Sequence, residues 1–104
     1  MKLTITQRLQ LTFLLGQQEG NVGEIRAIAK ILDKIQVPDE EADRVGFKLN
    51  ADGTALWNAK LASEPDDIAL TAEEQVRLQK ILEKWPRFRP SDSAWLSPLM
   101  EQLS

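Results

Sequence analysis

Apolar residues in the first third of the chain recur at the steps of a helix. Leu9, Leu11, Phe13, Leu14 and Leu15 form a broad apolar face. Thr4 with Gln7 three residues on has the form of a capping box, in which each side chain satisfies an amide left unpaired at a helix start. The spacing predicts a helix from Thr4 or Thr6 that stops at Gly16. The polar, glycine-punctuated stretch Gln17-Gln18-Glu19-Gly20-Asn21 reads as a loop. Ile25, Ile28, Ile31, Leu32 and Ile35 then fall on one face of a second helix, with Lys30, Asp33 and Lys34 opposite and Pro38 as its end. The carboxylates Asp39, Glu40, Glu41 and Asp43 open a short third helix at the end its dipole favours, and Gly46 marks its exit.

From Phe47 the period shortens. Phe47 and Leu49, then Thr54 to Trp57, read as two short strands around an Asp52-Gly53 turn, the strongest hairpin cue in the sequence. Ile68 and Leu70 alternate with smaller residues and suggest a third strand. Thr71 and Glu74 repeat the capping-box pattern ahead of a fourth helix through Val76, Leu78, Ile81, Leu82 and Trp85. Pro86 ends it, and Pro86-Arg87-Phe88-Arg89-Pro90 makes an extended connector. Trp95, Leu96, Leu99, Met100 and Leu103 return to helical spacing, with Pro98 implying either a kink or a fresh start capped by Ser97. The expected fold is α+β, a single domain over residues 1–104. It has four to five helices with a small antiparallel β-hairpin or three-stranded sheet, and is winged-helix-like at its N-terminal side.

Composition narrows the chemistry. The 104 residues contain no cysteine, histidine or tyrosine, which removes thiolate chemistry, the commonest general base and metal ligand, and the phenol. No apolar run approaches a membrane span, and the first residues lack the apolar core of a secretory signal, so a cytoplasmic location and no membrane partner are expected. A formal net charge of −3 weighs against a partner that is mainly phosphate backbone.

Few constellations rise above their plainer readings. The Asp39 to Asp43 cluster lacks the loop pattern of a calcium site and reads as a solvated helix start. No glycine-rich phosphate loop or nucleophile elbow is present, and a protein of this length rarely builds the cleft that paired carboxylates need. No catalytic, cofactor or metal residue is therefore assigned, no cofactor is expected, and a non-enzymatic protein is. Bases and aromatics interleave only at Lys84 to Arg89, so Trp85, Arg87, Phe88 and Arg89, with Trp95 beyond them, are the candidate interaction residues. On a winged-helix outline the third helix would meet DNA with carboxylates, which disfavours nucleic acid as a partner.

Several short patterns in succession resemble small proteins encoded by tailed bacteriophages and prophages. They are Leu3-Thr4-Ile5-Thr6-Gln7-Arg8-Leu9 leading to Leu14-Leu15, the Gly20-Asn21 break, the isoleucine-rich helix, Trp57-Asn58, and Ile68-Ala69-Leu70-Thr71 opening a helix that ends near Trp85. The parallel covers about residues 3–85; Pro98 and the Pro86 to Pro90 connector depart from it. The resemblance implies a phage or prophage accessory protein acting through protein–protein interaction, and carries over no site residue. The alternative expectation is a small winged-helix-like nucleic-acid-binding regulator.

Overall fold

The computed structural model describes residues 1–104. A strand β1 (Lys2–Thr4) runs directly into α1 (Ile5–Gly16), and α2 (Val22–Ile35) and the short α3 (Asp39–Arg44) follow. The hairpin strands β2 (Lys48–Leu49) and β3 (Ala55–Leu56) and the strand β4 (Pro65–Asp67) come next. Helix α4 (Ala72–Lys84), a single 3₁₀ turn at Pro90–Asp92 and α5 (Ser93–Leu103) complete the fold. It is α+β, with five α-helices and two separate two-stranded antiparallel sheets.

Both capping boxes form. Thr4 Oγ1 accepts from the Gln7 amide at 3.1 Å while Gln7 Oε1 accepts from the Thr4 amide at 2.9 Å. Thr71 and Glu74 repeat this at 3.1 and 2.8 Å. Asn21, at the end of the polar loop, caps α2 by accepting from the Glu24 amide. Each interaction occupies an amide that the helix itself leaves open.

Helix α1 is the centre of the fold, with Ile5, Gln7, Arg8, Leu9, Leu11, Leu14 and Leu15 all buried. A helix buried on most of its circumference shows a broad apolar pattern rather than a narrow stripe. Its two ends serve two cores. The larger unites Leu3, Leu11, Leu14 and Leu15 with Ile28, Ile31 and Ile35 of α2, Leu70, Leu78 and Leu82 of the α4 region, and Leu99 of α5. The smaller joins Ile5 and Leu9 to Val45 and Ala62, closed by Phe47 and Trp57, whose rings stack 6.3 Å apart.

Several expectations change. The hairpin forms, but its connection is Ala51 to Gly53, closed by the Asn50 amide bonding the Thr54 carbonyl at 2.7 Å. Gly53 has φ +87° while Asp52 keeps a negative φ, so this is the three-residue arrangement with one left-handed glycine rather than a two-residue Asp-Gly turn. The third strand neither joins the hairpin nor covers Ile68 to Leu70. It is β4, paired with β1 in the register Lys2↔Asp67, Leu3↔Asp66, Thr4↔Pro65. Ile25 is 39% exposed and Val76 49%, so each sits off the buried stripe assigned to it. Helix α5 starts at Ser93 and runs through Pro98, with no late start at Ser97. Its stripe packs inward: Leu99 is fully buried and Trp95, Leu96, Met100 and Leu103 rest against the larger core.

Candidate interaction site

The extended segment after α4 is held by its own aromatics and by one carboxylate. Phe88 meets Trp95 edge to face with ring centres 6.0 Å apart. Asp92 accepts from the Trp95 indole Nε1 at 3.1 Å through one oxygen and from the Arg89 amide at 2.8 Å through the other. Gln7, already part of the α1 cap, donates its Nε2 amide to the Trp95 carbonyl at 2.9 Å, which ties the start of α5 to the start of α1. The Arg87 guanidinium lies over the Trp85 ring, 5.6 Å from its centre, a contact worth about 0.5–1 kcal/mol at an exposed site.

Trp85, Arg87, Phe88, Arg89 and Trp95 all line one depression of about 360 Å³, also lined by Gln10 and Phe13 of α1 and by Gln17 just after it. The three aromatics are half-buried against the larger core, while both arginines are exposed.

A larger groove of about 640 Å³ opens beside it between α2 and α4. Ile28 and Ile81 form its apolar floor, together with the half-exposed Val76. Arg77, Lys80 and Lys84, spaced by three and four along α4, form its basic wall, and Glu19, Glu24 and Glu73 also line it. A smaller cavity lined by Gln18, Lys84, Trp85 and Arg87 connects the groove to the depression. Residues 77–89 hold five cations and one carboxylate in a protein of net charge −3. None of those cations is ion-paired, since the only ion pairs are Arg8–Asp66, Lys34–Glu74 and Arg44–Glu41. Reading the sequence for a compact basic-aromatic motif misses this stripe; the signal was the helical spacing of the α4 cations.

The shifted ionisations are those of surface anchors. Lys34, 2.5 Å away, and the Thr71 amide hold the Glu74 carboxyl below its ordinary range. Hydrogen bonds from the Thr54 hydroxyl and amide do the same for Asp52, and Glu41 raises the Arg44 guanidinium. The acidic side chains of α3 are spent on its first turn and on Arg44, and no three carboxylates converge at metal-ligand spacing.

One buried group escaped the sequence reading. Arg8 donates Nε–H to the Ile35 carbonyl at 2.9 Å and an Nη2 proton to the Gln36 carbonyl at 2.6 Å, and pairs with Asp66 at 3.3 Å. Its guanidinium thereby caps the C-terminal end of α2 and bridges that helix to β4. An isolated arginine among leucines carries no pattern that would announce such a role.

Comparison of the sequence and fold with models of known protein families, with curated proteins and with solved structures finds no match.

Proposed function

We propose that this protein is a non-enzymatic, cytoplasmic accessory protein of phage or prophage type that works by binding another protein. The observation that carries the reading is the depression at Trp85, Arg87, Phe88, Arg89 and Trp95. It brings three half-buried aromatics and two arginines outside any ion pair to one surface, the residue types that anchor protein interfaces. The non-enzymatic part rests on the absence of histidine, cysteine and tyrosine. The phage or prophage part rests on the sequence resemblance over residues 3–85.

The test is affinity capture from a bacterial lysate with the intact protein and with the paired Arg87→Ala, Arg89→Ala variant. A specific protein retained by the first and lost by the second supports the reading; capture of no specific protein overturns it. The basic run from Arg77 to Arg89 favours a second reading, a nucleic-acid-binding regulator. Glu19, Glu24 and Glu73 on the neighbouring groove and the packed aromatics weigh against it. Salt-dependent DNA or RNA binding that disappears in the same variant would promote that reading over the first.

A further inference from the structure

The connector between α4 and the 3₁₀ turn carries backbone groups and charges that the molecule itself does not use. Its two ends are extended, with φ and ψ of −68° and 120° at Trp85 and of −112° and 158° at Arg89. Arg87 and Arg89 are exposed, while Phe88 between them is half-buried against Trp95 and the larger core. This alternation places both guanidiniums on the outer face of an extended run, about 7 Å apart along the chain. The Arg87 guanidinium over the Trp85 ring, two residues back, follows the same spacing.

The backbone of this run is open. The N–H groups of Arg87 and Phe88 and the carbonyls of Pro86, Arg87 and Phe88 form no hydrogen bond within the molecule. Arg89 is closed, since its N–H donates to Asp92 Oδ2 and its carbonyl accepts from the Asp92 amide. Pro86 and Pro90 bracket the run without an N–H. In an extended residue N–H and C=O point to the same edge, so Arg87 alone offers the donor and acceptor that pair with one residue of an added strand. An open edge of this kind is what strand addition uses.

The charges decide which strand suits it. Neither guanidinium takes part in a hydrogen bond or ion pair. The one carboxylate lining the depression, Asp92, already accepts through both oxygens, from the Trp95 indole and the Arg89 amide. In the adjoining cavity Lys84 stands against Glu19, so the surplus positive charge falls on Arg87 and Arg89. A guanidinium stacked on a ring keeps its in-plane N–H fork for a carboxylate, and less of its freedom is lost on binding.

We infer that the connector receives an acidic, extended segment of a partner protein, which adds beside Arg87 as a short strand. The inference rests on reading the depression as a protein-binding site. Side chains two residues apart share one face of a strand, so carboxylates at that spacing on the partner lie across from Arg87 and Arg89. The prolines and the closed Arg89 keep the ladder short, and the two ion pairs set the preference for acid.

The experiment is fluorescence anisotropy of labelled peptides in which aspartate alternates with valine, mixed with the intact protein at low salt and at about 1 M salt, where charge attraction is screened beyond about 3 Å. The expected result is binding at low salt that weakens at high salt and is absent when asparagine replaces aspartate. Peptides with the same aspartates made contiguous, or with the aspartate amides N-methylated, should bind more weakly. Arg87→Gln and Arg89→Gln should each lower affinity about tenfold, the loss of one charge-assisted pair, and Arg87→Lys should recover little of it. Both arginines are exposed, so these variants should keep the parent's circular dichroism, and Lys30→Gln on the outer face of α2 should bind like the parent. No binding of the alternating peptide at low salt, undiminished binding of the contiguous or N-methylated peptide, or an equal loss in Lys30→Gln would overturn the inference. Tighter binding of an oligothymidylate of matching charge, lost in Arg87→Gln, would overturn it in favour of nucleic acid. Capture of a bacterial protein through Arg87 and Arg89, by a chain that ignores the acidic peptides, would overturn this inference alone and leave the broader protein-binding reading standing.

Discussion

Arg8 and Ile35 are joined by a 2.9 Å hydrogen bond from a guanidinium that is almost wholly buried to the last backbone carbonyl of α2. The same side chain satisfies Gln36 and reaches Asp66, so one residue of α1 orients α2, the turn into α3 and β4. Removing it leaves the Ile35 carbonyl, in a buried place, and the Gln36 carbonyl beside it without this donor. Arg8→Met is expected to cost about 2–3 kcal/mol in urea unfolding. Arg8→Lys should recover little of that, because an ammonium lacks the planar fork that spans both carbonyls.

Thr71 gives a cleaner measure of a cap, because the residue itself is exposed. Thr71→Ala should destabilise the protein by about 1 kcal/mol in thermal or urea unfolding, and Thr71→Ser should restore most of the loss.

The Glu74 carboxyl takes part in that cap and also pairs with Lys34, which lowers its folded-state pKa. A carboxyl with a lowered folded pKa adds stability that is fully present above its unfolded value, about 4.3, and lost as pH falls through the folded value. Unfolding free energy measured from pH 7 down to pH 2 should therefore fall below about pH 4.3, and Glu74→Gln should flatten that decline. An unchanged slope in the variant would show that other carboxylates drive it.

Gly53 holds the one left-handed position of the hairpin connection. An added Cβ meets nothing in space there, so Gly53→Ala isolates the backbone term alone. The expected cost is about 1 kcal/mol, and Gly53→Asn should cost less, since asparagine tolerates this conformation. Comparative unfolding of the two variants checks the order.

Truncating Leu99 probes how firmly α5 is held. It is fully buried between α5 and the larger core, so Leu99→Ala should cost about 2–5 kcal/mol in urea unfolding.

Local chemistry was enough to read the helices. Thr4 with Gln7, Thr71 with Glu74, the isoleucine spacing of α2 and the stop at Pro86 act within a few residues, where side chain and backbone meet regardless of the rest of the molecule. Four of the five candidate interaction residues, Trp85, Arg87, Phe88 and Arg89, lie close together in sequence, with Trp95 beyond them. That they share one depression with Phe13 and Gln17 depended on α1 lying against the connector.

Short-range signals along the chain set where helices begin and end, and composition set which side chains are missing from the chemical repertoire. The tertiary structure alone decided the β1–β4 pairing, in which Pro65-Asp66-Asp67 becomes a strand without a single strand-favouring residue because β1 lies alongside to accept it. It also decided the role of Arg8 and the division of α1 between two cores. The physical reason is range: capping and periodicity are short-range and leave their mark in sequence, whereas a ladder or a buried guanidinium is stabilised by partners tens of residues away, and the sequence does not show which ones will meet.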